Sequence, residues 1–151
     1  RPRLDLVVNA FAKNAYSKGV LTVHGGNQWR PNVHVADVAE AIMRIIEAPI
    51  NDVSRQVFNV GSDVGNSTIM DLAKLVVDVY PGCRVEMDST SVDARNYRVN
   101  FSKMKERLGY EAQTTIRQGL EELKVAFEKK LISNQDSWNY SNIEALKENF
   151  F

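Results

Sequence analysis

The sequence predicts an α/β chain that holds part of a parallel sheet together with a compact side domain. Three observations carry that prediction. Strand-type and helix-type patterns alternate along the chain. Residues 56–62, QVFNVGS, are a near-continuous apolar run between turn residues, as expected of a strand covered on both faces. Residues 38–46 place Val38, Ala41, Ile42, Ile45 and Ile46 on one helical face.

Composition narrows the function classes. The 151 residues are 44% hydrophobic and 25% charged, values of a globular chain. Nineteen acidic residues balance nineteen basic ones, which argues against a dedicated nucleic-acid or anionic-membrane surface. No apolar run approaches the roughly eighteen residues of a membrane span. The single Cys83 allows no internal disulfide and fits a reducing, cytoplasmic setting. The opening RPRLDLVVNA enters an amphipathic pattern without a leader, so the chain reads as cut in mid-protein or as having lost a first half.

Taken in order, Leu4, Val7, Val8, Phe11, Ala12 and Ala15 form the stripe of a half-buried helix that Gly19 closes. VLTVH (20–24) reads as a strand delivered to the Gly25-Gly26 turn, and NVHV (32–35) as a second strand. Asp37 with Glu40 reads as a capping box for the helix behind it, which stops before Pro49. After the 56–62 strand, DVGNST reads as a loop. Thr68 with Asp71 then starts a helix that Pro81-Gly82 ends. RVEMDS (84–89) is a strand, 92–100 a polar extended segment, and 102–109 a short helix. Thr115 and Gln118 head the last long helix, with Ile116, Leu120, Leu123, Phe127 and Leu131 inward. The tail from Ser133 is polar and reads as an extension.

Several chemistries are missing. No arrangement of the eight glycines gives G-x-G-x-x-G. GSDVGNS (61–67) has the wrong glycine spacing for a phosphate loop, and Asn66 stands where a lysine is needed. His24 and His34 lack partners at metal-ligand spacing and read as packed or solvent-facing, and Cys83 as inert. No tyrosine has a lysine four residues downstream. Arg30, between Trp29 and Pro31, is either a solvated loop charge or a residue waiting for an anion; as a loop arginine it is expected to bury little.

LTVHGGNQWRPNVHVADVAEAI, QVFNVGSDVGNSTIMDLAKLV, DARNYRVNFSKMKERLGY and TTIRQGLEEL follow one another in the order found in nucleotide-sugar epimerases and dehydratases. Over residues 4–131 the chain resembles the C-terminal half of these extended short-chain dehydrogenases/reductases. The resemblance implies the last part of a Rossmann-type parallel sheet plus a small α/β substrate-binding domain within residues 1–131, with 132–151 as a C-terminal extension. It also implies that the N-terminal Rossmann half, with its glycine loop and Tyr-x-x-x-Lys pair, is missing from this chain.

By the same resemblance Arg30 contacts the substrate diphosphate, and Thr22, Val23 and His24 lie along the nucleotide base, largely through backbone. Asp93 and Arg95 belong to the segment over the ribose and phosphate. Arg98 falls opposite Tyr97 by strand period and reads as solvated. Asn59 reads as a backbone hydrogen-bonding residue. No catalytic, cofactor-binding or metal residue is expected here. NAD(P) belongs to the full-length protein, at a site outside this chain. Expected partners are the nucleotide sugar and the missing half, with a homo-oligomer compatible and neither nucleic acid nor membrane. The other reading is a non-catalytic nucleotide-sugar-binding or complementing subunit.

Overall fold

The computed structural model describes residues 2–90 and 93–150; Val92, the first residue of the expected polar segment, lies outside them. α1 (Val7–Lys18) ends at Gly19, whose φ of 64° is the left-handed cap that L side chains adopt rarely. β1 (Val20–His24) follows directly and pairs in parallel with β4 (Arg84–Asp88), Leu21 opposite Val85 and Val23 opposite Met87. A second ladder joins β2 (Trp29–Pro31) antiparallel to β3 (Asn66–Thr68).

The main core forms where α1, α4 (Ile69–Val79) and α6 (Ile116–Glu128) converge on β1. Phe11, Ala12 and Ala15 of the expected α1 stripe meet Leu21, Val23, Leu72, Val76, Leu120 and Phe127 there. The Tyr16 and Phe127 rings stack with centroids 5.2 Å apart. Two helix starts obey local rules. The Thr68 hydroxyl accepts from the Asp71 amide, and Thr115 with Gln118 forms a complete capping box.

A smaller cluster gathers Ala41 of α2 (Val35–Glu47), Met104 of α5 (Ser102–Leu108) and Tyr110. Asp37 ties it together, and differently from the expectation. α2 starts three residues earlier than a cap at Asp37 requires, with His34 as N-cap: its Nδ1 accepts from the Ala36 amide at 3.3 Å. Asp37 is therefore inside the first turn and buried. Its carboxylate accepts from the Gln113 amide (2.9 Å), the Thr114 amide (3.0 Å) and the Tyr110 hydroxyl (3.1 Å). Glu40 pairs with Arg44 instead of capping.

Other expectations give way to pairing. The second strand is Trp29–Pro31, not 32–35, because β3 offers its ladder to those residues. β3 and a short 3₁₀ turn (Asp63–Gly65) replace the expected loop. Residues 56–62 run without a strand partner among the described residues, and Val57 is exposed, so the doubly covered strand is not formed. Pro49 is followed by the one-turn α3 (Ile50–Val53). Ile42 and Ile46 on α2, and Leu131 beyond the end of α6, are exposed where inward positions were expected.

The tail is ordered: a 3₁₀ turn (Trp138–Tyr140) and α7 (Asn142–Phe150). It docks on the start of α1, where the Leu4 amide donates to the Tyr140 carbonyl at 2.9 Å and Lys13 pairs with Asp136 at 3.0 Å. Among the described residues no helix is long and apolar enough to cross a membrane.

Candidate functional site

The Gly25-Gly26 turn turns the chain out of β1 toward β2, and a buried glutamine holds it. Gln28 Oε1 accepts from the Gly26 amide (2.8 Å), while its Nε2 donates to the His24 carbonyl (3.1 Å) and the Asp93 carbonyl (3.4 Å). One side chain thus joins the end of β1 to the polar segment. Among the described residues, 93–100 form no ladder; one backbone bond from the Tyr97 amide to the Trp29 carbonyl (3.5 Å) and several side-chain amides hold them. Asn96 Oδ1 accepts from the Trp29 amide at 2.9 Å, and Asn66 exchanges two 3.0 Å bonds with the Val99 backbone. Asn59 Nδ2 donates to the Asn100 carbonyl at 3.1 Å, the backbone role expected for it.

Arg30, on β2, stands where these strands converge. Its Nη1 donates to the Trp29 carbonyl (2.8 Å) and the Arg95 carbonyl (2.5 Å), its Nη2 meets Asp93 Oδ2 at 2.9 Å, and its guanidinium lies 5.7 Å from the Tyr97 ring centroid. The side chain is only 13% exposed, so the expectation of a loop arginine that buries little is corrected. Asp93 also accepts from the Arg95 amide and guanidinium, with Nη2 at 2.6 Å. The Arg95 guanidinium foremost, then the Arg95 amide, hold the Asp93 carboxyl far below the usual carboxylate range, and Arg30 adds to them. Arg98 is not simply solvated: its guanidinium sits 3.4 Å from the centroid of the Trp29 ring.

The structure therefore brings Arg30, Asp93 and Arg95 together and connects them to His24 through Gln28. The other residues of β1 divide by strand alternation. Val23 is fully buried in the core, which leaves it only backbone to offer a ligand. Thr22 and His24 face outward, and His24 Nδ1 is 3.0 Å from Asp88 Oδ2. No hydrogen bond ties Thr22 to the arginine cluster among the described residues. Sequence reading missed Gln28, Asn96 and Asn66. The usable signal was an extended, asparagine-bearing segment with no strand partner in sight, whose backbone groups needed bonds from somewhere.

Two turn glycines spend their amides on internal bonds. The Gly26 amide is bonded to Gln28 Oε1 at 2.8 Å and the Gly65 amide to the Ser62 carbonyl at 2.9 Å, so neither is free to face a pyrophosphate. A Cβ on Gly65 would strike the Asn32 carbonyl, so this glycine serves close backbone packing. No group of three or more metal-ligating side chains assembles among the described residues. Cys83 is buried, and burial pushes its thiol up, away from the reactive thiolate.

Comparison with known proteins agrees with this architecture. Residues 2–61 match the model of the NAD dependent epimerase/dehydratase family. UDP-glucuronic acid decarboxylase 4 of Arabidopsis thaliana is 33% identical over 132 residues, covering 85% of this chain and 29% of the decarboxylase. The chain thus spans less than a third of that relative's length. UDP-glucose 4-epimerase of Thermotoga maritima, solved with UDP-glucose, superposes with a TM-score of 0.67 at 28% identity, over 83% of this chain and 40% of the epimerase. MoeE5, solved with UDP-glucuronic acid and NAD, shares the fold with a TM-score of 0.66 at 22% identity, over 83% of this chain and 43% of its own. Over residues 2–61 the chain is thus similar to the NAD dependent epimerase/dehydratase family, and it shares an α/β architecture with these solved structures.

Proposed function

We propose that this chain is the substrate-binding part of an NAD(P)-dependent enzyme acting on a nucleotide sugar, with Arg30 binding the substrate's diphosphate. The single observation behind the proposal is the held guanidinium at the junction of β2 and residues 93–97, with a carboxylate on its outer side. A planar fork of donors fixed by two backbone carbonyls costs little further ordering when it takes phosphate oxygens. Thr22 and His24 lie along the base through β1, and Arg95 adds a second cation beside the phosphates. Uridine is the proposed base, because UDP appears in the names of the decarboxylase relative and of the epimerase complex. NAD(P) and the proton-transferring residues belong to the N-terminal half of the whole protein, which works in the cytoplasm. The engaged glycine amides of this segment support that division of labour. A non-catalytic nucleotide-sugar-binding subunit is the second reading, favoured by the absence of a Tyr-x-x-x-Lys pair in these 151 residues.

Titration of the full-length protein with UDP tests the role of Arg30. Arg30→Ala is expected to remove a charge-assisted contact worth about 1.5–3 kcal/mol, which is about a ten- to hundredfold loss of affinity. Arg30→Lys is expected to restore only part of it, since a point charge lacks the fork. NAD binding should be unaffected and serves as the folding control. Unchanged UDP affinity in Arg30→Ala would return the residue to a structural role.

A further inference from the structure

We propose that Asp93 is an internal anion that occupies the Arg30 guanidinium until a nucleoside diphosphate displaces it. The inference rests on Arg30 being the diphosphate site and adds a control on that site's affinity.

The geometry has three parts. Arg30 Nη1 is committed to the Trp29 and Arg95 carbonyls, so the edge left for an external anion is the one carrying Nη2 and Nε. Asp93 Oδ2 already sits on Nη2 at 2.9 Å. The order of burial is informative: the Arg30 side chain is 13% exposed and that of Asp93 43%, so the carboxylate lies outside the guanidinium. An anion arriving from solvent meets Asp93 first.

The carboxylate also presents the geometry a phosphate would, two oxygens in a plane accepting from two guanidinium groups. Oδ2 takes Nη2 of both Arg30 and Arg95, and Oδ1 takes the amide and Nε of Arg95. The three side chains therefore form a closed ion cluster with a net charge of one positive unit. A diphosphate, carrying more charge and more acceptor oxygens, can take both guanidinium groups from Asp93. Removing the Asp93 charge would raise the site's positive charge and free the Nη2 edge of Arg30.

Calorimetric titration with UDP on the full-length protein tests this. Asp93→Asn keeps an oxygen for the Arg95 amide, and so the turn, while removing the competing charge. It is expected to bind UDP about two- to fivefold more tightly, the range of a partly exposed ion pair no longer broken on binding. Its affinity should also fall more steeply as sodium chloride is added. Asp93→Glu keeps the competing charge and should not show this gain in affinity. UDP affinity that is unchanged or weaker in Asp93→Asn, while Arg30→Ala still loses affinity, would overturn the Asp93 proposal and leave Arg30 in place. Arg30→Ala binding UDP like the parent would overturn both.

Discussion

Asp37 shows how much one buried charge can organise. Desolvation opposes its ionisation, but the Gln113 amide, Thr114 and the Tyr110 hydroxyl outweigh it and hold the carboxyl below its usual range. The same arrangement pushes Tyr110 up to about 12, through burial first and the neighbouring carboxylate second. α2 is thereby fastened to the connection between α5 and α6. Asp37→Asn would keep one accepting oxygen and turn its amide toward the Thr114 amide, setting donor against donor. We expect a loss of about 1.5–3 kcal/mol at neutral pH, typical for a hydrogen-bonded charge. The pH sign follows from the lowered folded-state value. The contribution is fully present above the ordinary carboxylate value near 3.8 and lost as pH falls through the lower folded one. Urea midpoints of parent and variant should thus differ at pH 7 and converge below pH 4; a constant gap would refute the linkage.

α2 also carries the clearest unpartnered surface. Val35, Ile42 and Ile46 share one helical face and are 76%, 51% and 69% exposed, and Ile50 and Val57 continue the exposed apolar surface in sequence. Bare apolar area of this kind favours association. We expect the isolated chain to self-associate or to bind a hydrophobic dye strongly. The pair Ile42→Glu and Ile46→Glu should reduce both effects without unfolding the cores, since neither side chain is buried. Light scattering and dye fluorescence read the outcome. A dilute-stable parent monomer without dye signal would show that this face needs no cover.

Across the whole molecule, arginine and amide side chains are gathered around β2, while two sequence patterns tied to hydride transfer do not occur in these 151 residues. The chain has neither G-x-G-x-x-G nor Tyr-x-x-x-Lys, and its glycine amides at positions 26 and 65 serve internal bonds. Purified residues 1–151 are therefore expected to convert no UDP-glucose or UDP-glucuronic acid in the presence of NAD. Any turnover above an enzyme-free blank, in a preparation cleared of host enzymes, would overturn this expectation.

Features governed by a few neighbouring residues were legible in the sequence. The α1 stripe and its Gly19 stop, the Thr68 and Thr115 caps, the strand at 20–24, and, each one residue shorter than the expected 84–89 and 102–109, β4 and α5 depend on side-chain period and cap chemistry. Arg30 stood out for a similar reason, a charge fixed between a glycine turn and a proline. Tertiary structure alone decided the rest. Whether 29–31 or 32–35 becomes a strand depends on where β3 offers its hydrogen bonds, 35 residues or more away in sequence. Asp37 looks like a cap locally, yet serves amides 76 and 77 residues distant. Residues 93–100 carry no apolar repeat that would fix their position, and Gln28, Asn66 and Asn96 bond them in place. Hydrogen bonds closed through space leave no spacing to read, so the site's arginines could be named from the sequence while their common carboxylate could not be placed between them.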